Sequence, residues 1–193
     1  MFIDLKNASA ELLPSQIQAY LNEGVKQKYN ERYKCSRRNP WYNVPSVCVP
    51  QGFIFKRSYL YPKIIKNEAG VLITDTAYSI RPMTGFDIDS IVYSFYNSLT
   101  VIFCELKGRY YSDGVLELTP KEFKSLPLPY KQTTQAQFDD YKKYFSKTKS
   151  IDKLLHHNDI HLLCHLGLST ADFKRLRNIR QMLLIRRLKK TRE

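Results

Sequence analysis

The chain has 193 residues, with 31 Lys+Arg against 18 Asp+Glu, a formal net charge of +13 and a pI near 9.6. Hydrophobic residues at 43% and charged residues at 25% exclude an intrinsically disordered chain and suffice for a buried core. The cation excess, with 14 Tyr, 10 Phe and 1 Trp, points to a polyanion whose rings can stack, and nucleic acid is such a partner.

No apolar run reaches the roughly 18 residues of a membrane span and no signal peptide opens the chain, so a soluble, cytoplasmic protein is expected. The four cysteines lack C-x-x-C spacing, so zinc is not expected. Three of them sit among apolar neighbours and read as reduced, small core residues.

In chain order, residues 11–33 read as a helix entered near Pro14-Ser15, with Ile17, Tyr20, Leu21 and Val25 at helical spacing and Gly24 a weak point. Lys26, Lys28, Arg32 and Lys34 at its end read as a solvated face. From Arg37 the texture changes. Short apolar runs at 46–49, 53–55, 71–74 and 77–80 lie between prolines and glycines and predict strands of an antiparallel or mixed sheet. Lys56 and Arg57 follow one strand and Arg81 another, as suits a surface that tracks phosphates. Residues 87–106 predict one helix, with a buried strand at 101–104 as the alternative.

The stretch 97–129 is the densest in signals. An apolar run leads into a turn through Gly108 and Gly114, crowded by Lys107, Arg109, Tyr110 and Tyr111. A strand over 115–118 follows, and the stretch closes at Pro127-x-Pro129. Cations of this kind pair with phosphates, rings stack on bases, and glycine lets the backbone approach closely. Residues 131–149 are polar and predict a linker or loosely packed helix. Residues 151–166 predict a helix stopped by Gly167, and Ser169 caps a basic last helix with Phe173, Leu176, Ile179, Leu183 and Leu188 on one side.

Three catalytic-looking motifs fail on inspection. Asn39-Pro40-Trp41-Tyr42 is similar to the Asn-Pro-Pro-Tyr of amino-group methyltransferases, but the second proline is missing and no glycine-rich turn precedes it. Glu105-Leu106-Lys107 ends like a magnesium nuclease signature, with Asp87 and Asp89 upstream, but so short a tail recurs by chance. His157, His161 and His165 share a helical face without a supporting carboxylate or second ligand pair.

The order of motifs is more specific than any one of them. Tyr33-Lys34-Cys35-x-x-Arg38-x-Pro40-Trp41-Tyr42, Thr74-Asp75 and Asn97-Ser98-Leu99-Thr100 come first. Glu105-Leu106-x-Gly108-Arg109, Gly114-Val115-Leu116-Glu117-Leu118-x-Pro120-x-Glu122 and Leu126-Pro127-Leu128-Pro129 follow. From residue 17 to about residue 190 the chain resembles the C-terminal half of adenine-specific DNA methyltransferases of restriction–modification systems, the TaqI-related group. Tyr111-Ser112-Asp113-Gly114 departs from that group, which often has a second glycine and a smaller residue there.

The resemblance implies an α+β target-recognition region at 37–130, between an N-terminal helical segment at 1–36 and a linker with basic helices at 131–193. It implies double-stranded DNA as partner, contacted by Arg38, Lys56, Arg57, Arg81, Lys107, Arg109, Tyr110 and Tyr111, with no catalytic or metal residue here. Arg is the stronger base reader, since its planar fork matches O6 and N7 of guanine. S-adenosylmethionine would be the cofactor of a catalytic domain or subunit, and a fragment, a split-enzyme chain and a truncated remnant all fit this pattern. A magnesium nuclease and a basic RNA- or protein-interaction domain are the rival readings. Trp41 is expected as a core anchor, Asn97 and Ser98 as braces. The last helix is expected to grip phosphates or dock a partner through Phe173, Leu176 and Leu183.

Overall fold

The computed structural model describes residues 5, 8–44, 48–111 and 113–189. The chain divides into two compact units, Met1–Cys48 and Val49–Glu193. Of the predicted strand at 46–49, residues 46 and 47 lie outside the described residues, and Cys48 and Val49 are not in a strand.

In the first unit the expected helix is shorter: α1 spans Ser15–Lys26, and Lys28, with φ 59°, turns the chain into a short 3₁₀ segment, Tyr29–Glu31. Gly24 is a packing notch rather than a weak point, because a Cβ there would stand 2.8 Å from the Trp41 ring. Trp41 thus anchors this unit, set edge-on to Tyr42 at 5.8 Å. The Tyr42 hydroxyl donates to the Ala8 carbonyl at 2.7 Å.

The second unit holds two antiparallel three-stranded sheets. The first has the order β3 (Ile64–Lys66), β1 (Gly52–Phe55), β4 (Ala77–Ile80), with Ile54, Ile64 and Ile80 buried. The second has the order β2 (Arg57–Ser58), β6 (Leu116–Glu117), β5 (Arg109–Tyr110). Lys56 bridges them, its amide donating to the Thr76 carbonyl and its carbonyl accepting from the Leu118 amide, both at 3.0 Å. The predicted strand at 71–74 does not form. The Asn67 side chain accepts from the Val71 amide at 3.0 Å and donates to its carbonyl at 2.8 Å, taking both ladder groups.

The expected single helix over 87–106 is two, α2 (Ile88–Phe95) and α3 (Ser98–Lys107), so residues 101–104 are helical. The break is made by Asn97, whose side chain accepts from the Thr100 amide at 2.9 Å and donates to the Ser94 carbonyl at 2.7 Å. Ser98 is braced by buried Asp159, which accepts from its amide and hydroxyl at 2.7 Å each. Burial pushes the Asp159 carboxyl up, against the pull of those bonds and of Arg177.

Helices α4 (Pro120–Lys124) and α5 (Gln135–Thr148) each begin with a complete capping box, Thr119 with Glu122 and Thr134 with Gln137. The stretch expected as linker or loose helix is therefore core: Phe138 and Tyr141 on α5 are buried. Helix α6 (Ile151–Leu163) buries Leu154, Leu155, Leu162 and Leu163, and the chain turns at Gly167, φ 76°, into α7 (Thr170–Lys189). Ser169 caps α7 as expected, its hydroxyl accepting from the Asp172 amide at 3.2 Å. The sulfur expectation needs correction: only Cys104 is in the core, Cys35 and Cys48 are half-buried and Cys164 is exposed.

Asp87 caps α2, accepting from the Ser90 amide and hydroxyl at 2.7 Å and from the Tyr130 hydroxyl at 3.1 Å. Burial raises its carboxyl, but these donors outweigh burial and hold it below its ordinary value. A lowered folded pKa gives stability that is present above the ordinary carboxylate range and lost as pH falls through the lowered value. Asp87→Asn keeps an acceptor that does not titrate, so its urea midpoint should fall less on acidification than that of the wild type.

Candidate nucleic-acid interface

Geometry of the second sheet begins at Gly108, which ends α3 with its amide on the Cys104 carbonyl at 2.9 Å. A Cβ there would lie 2.4 Å from the Leu116 side chain and 2.8 Å from the Cys104 carbonyl. Only glycine lets the helix end sit this close to β6, and that contact fixes where the next residue, Arg109, leaves the helix.

The register places Arg57 and Arg109 on either side of Glu117, and Ser58 and Tyr110 on either side of buried Leu116. Cross-strand partners share a face. The outer face therefore carries Arg57, Glu117 and Arg109. Arg57 Nε meets Glu117 Oε2 at 2.6 Å with the arginine side chain 67% exposed. Arg109 Nε meets Glu122 Oε1 at 2.9 Å, its side chain 66% exposed. Tyr111 joins them, with the Arg57 guanidinium 5.3 Å from its ring centroid. Lys107, in the last turn of α3, donates to Ser125 Oγ at 3.2 Å.

Charge is balanced locally. The hydrogen bond from Arg57 holds the Glu117 carboxyl below its usual range, and Glu117 in turn raises the Arg57 guanidinium. Glu122 is lowered first by the Thr119 amide and then by Arg109, both against burial. Exposed ion pairs of this kind are screened by water and salt and contribute little to stability, so a phosphate can take over either guanidinium at small cost.

The eight residues singled out in the sequence separate into groups. Arg57, Arg109 and Tyr111 come together, while Lys107, in the last turn of α3, reaches Ser125. Tyr110 belongs to the opposite face, and its hydroxyl donates to the Glu105 carbonyl, a bracing role. Lys56 lies over the Tyr78 ring at 4.8 Å, on the side of the sheet that Ile54 occupies. Arg81 follows Ile80, whose partner is Gly52, so it stands at the far end of the first sheet from Lys56. Arg38 lies in the N-terminal unit, donating to the Asn43 carbonyl at 3.1 Å.

One residue pair behind this face was missed. Arg187 of α7 makes a two-pronged pair with Glu105 of α3, Nε to Oε2 and Nη2 to Oε1 at 2.8 Å each, both side chains 1% exposed. Its Nη1 donates to the Gly114 carbonyl, at a residue whose φ of 70° suits glycine. This ties the β5–β6 turn to two helices. Arg180 is also buried, paired with Asp152 at 2.5 Å. Phe173, expected as a docking residue, is 2% exposed and part of the core. Phe173, Leu176, Arg180, Leu183 and Arg187 recur at steps of three and four, so two cations at core spacing were the available signal.

With both oxygens held by Arg187, buried Glu105 has no geometry for a nuclease metal. His157 stacks on Tyr144 at 4.6 Å and approaches His161 at 4.8 Å. Among the described residues no three His, Cys, Asp or Glu side chains are grouped to hold a metal ion. Nor is any described helix long and apolar enough to cross a membrane.

The described strands build an α+β unit with two antiparallel sheets, not a doubly wound parallel one. Residues 1–163 match the family described as type II methyltransferase M.Eco57I, C-terminal domain, and the chain belongs to that family. Neither the curated proteins nor the solved structures contain a match.

Proposed function

We propose that this domain is the target-recognition part of an adenine-specific DNA methyltransferase of a restriction–modification system, related to the TaqI group, and that it binds double-stranded DNA. The family supports the methyltransferase setting. The observation that carries the DNA-binding reading is the register that sets Arg57 and Arg109 across Glu117 on one exposed face, with Tyr111 beside them. Strands at the spacing of a sheet bring two planar guanidinium forks within reach of neighbouring phosphates or a guanine edge.

S-adenosylmethionine belongs to the catalytic domain or subunit in this reading. The chain's contribution is to position the duplex; methyl transfer is the partner's chemistry.

Arg109→Ala should lower duplex affinity or shift sequence preference while leaving the thermal midpoint within a degree or two, as befits an exposed ion pair. Fluorescence-polarisation titration beside a thermal melt reads both. A large loss of stability with unchanged DNA binding would assign Arg109 to the fold instead.

A further inference from the structure

Residues 26–38 of the N-terminal unit hold six cations, Lys26, Lys28, Arg32, Lys34, Arg37 and Arg38, against one carboxylate, Glu31. We infer that this segment is a second contact to the duplex: a sequence-independent grip on phosphates by arginines set over exposed tyrosine rings. The inference rests on the DNA-binding reading and adds to it a surface that the second sheet does not supply.

Three observations converge. First, all of these cations except Arg38 are exposed. Among the described residues none of the six is paired with a carboxylate, whereas Arg57 and Arg109 of the C-terminal unit each hold one. A phosphate that reaches Arg57 or Arg109 must displace Glu117 or Glu122; one that reaches Arg32 or Arg37 meets no such competitor among the described residues. Unpaired like charges at this density raise a positive potential over the surface, and release of counterions from DNA drives the association.

Second, two of the arginines are set on rings. The Arg32 guanidinium lies 4.2 Å from the Tyr29 ring centroid, and that of Arg37 lies 4.6 Å from the Tyr33 centroid. Both rings are exposed, Tyr33 at 72%. A ring beneath a guanidinium engages its flat face and leaves the N–H edge free to donate to phosphate oxygens. Because the guanidinium covers the ring, these tyrosines hold cations rather than offer a face to a base. That favours a positioning contact to the backbone over base reading.

Third, the backbone that displays them is tied down. The chain advances in successive turns: the Arg32 amide donates to the Tyr29 carbonyl at 3.2 Å, the Cys35 amide to the Arg32 carbonyl at 2.8 Å, and the Arg38 amide to the Cys35 carbonyl at 3.0 Å. Arg38 closes the far end, its Nη1 donating to the Asn43 carbonyl. A pre-organised array loses less entropy on binding than a free tail of the same charge.

The test titrates the whole chain into a fluorescent duplex at several salt concentrations and compares the wild type with Arg32→Gln/Arg37→Gln. Loss of two phosphate contacts should lower the salt slope by about 2, so that the fall in affinity between about 50 and 200 mM salt shrinks about tenfold. The ratio of affinities for preferred and scrambled duplexes should hold, and so should the thermal midpoint, since both side chains are exposed. Tyr29→Leu/Tyr33→Leu keeps every charge but removes the rings and should weaken binding severalfold. Tyr29→Phe/Tyr33→Phe should bind as the wild type does, because the ring face and not the hydroxyl is used. Full binding by the leucine pair overturns the role of the rings, and a reduced duplex preference in the arginine variant overturns the sequence-independent character. Arg57→Gln/Arg109→Gln reports the second sheet separately. A loss there alone upholds the DNA-binding reading and overturns this inference, leaving the N-terminal cations a solvated face. A loss in Arg32→Gln/Arg37→Gln alone upholds this inference and overturns the assignment to the sheet. If the wild type binds no duplex, both fall.

Discussion

Arg187→Met should destabilise the C-terminal unit by about 3–5 kcal/mol, because it leaves Glu105 as an uncompensated buried charge. The carboxylate loses both 2.8 Å contacts at once, and the Gly114 carbonyl loses its guanidinium donor. Isolated truncation differs sharply from replacement of the pair. Glu105→Leu with Arg187→Met removes two desolvated charges together and should recover most of the loss, since buried ion pairs give little net stability over apolar packing. Urea denaturation of the two singles and the double gives the coupling energy directly. A double variant as unstable as the sum of the singles would show that each residue acts through something other than its partner. The functional consequence is separable: in the recovered double variant the Gly114 carbonyl still lacks its tie. The β5–β6 turn should then hold Arg109 and Tyr111 less firmly, weakening DNA binding in a stably folded protein.

Replacing both outer-face arginines, Arg57→Gln with Arg109→Gln, should reduce the salt slope of duplex binding by about 2, one for each lost phosphate contact. The thermal midpoint should hold, since both side chains are about two-thirds exposed and their ion pairs are screened. Glu117→Gln is the complementary change. It frees the Arg57 guanidinium from its carboxylate while Arg109 stays paired with Glu122, so affinity should rise and the salt slope steepen. Affinity that falls in Glu117→Gln would mean that Glu117 orients Arg57 rather than occupies it. Polarisation titrations at four or five salt concentrations separate these outcomes.

Much of the helical architecture was legible because helix ends are written locally. Asn97, Gly167 and Ser169 act through bonds to residues within four positions, and the capping chemistry is visible in a short window. The same Asn97 also marked the break between α2 and α3, which a purely apolar reading of 87–106 passes over. Less local features were hidden. Residues 71–74 look like a strand until the Asn67 side chain takes Val71's ladder groups. Helix α5 reads as a polar linker, because Phe138 and Tyr141 form its narrow buried stripe amid Lys, Gln and Asp. The Glu105–Arg187 pair spans 82 residues, and only the spacing of Arg180 and Arg187 on α7 hinted that those cations face inward.

The candidate face was legible in residue type but not in arrangement. Arg109 and Tyr111 lie close in sequence, whereas Arg57 joins them only because β2 pairs with β6 across 60 residues. Alternation along β5 then separates Tyr110, which braces α3, from Arg109, which faces out. Arg81 shares the charge of the cluster but not its place, and Arg38 belongs to the N-terminal unit.

Duplex DNA binding by the whole chain, measured across a salt series with and without competitor RNA, tests target recognition most directly. A steep salt slope together with a preference for one short duplex sequence, undiminished by RNA, is the predicted result. Binding without sequence preference, or equal displacement by structured RNA, would contradict a target-recognition role and leave a general polyanion-binding domain.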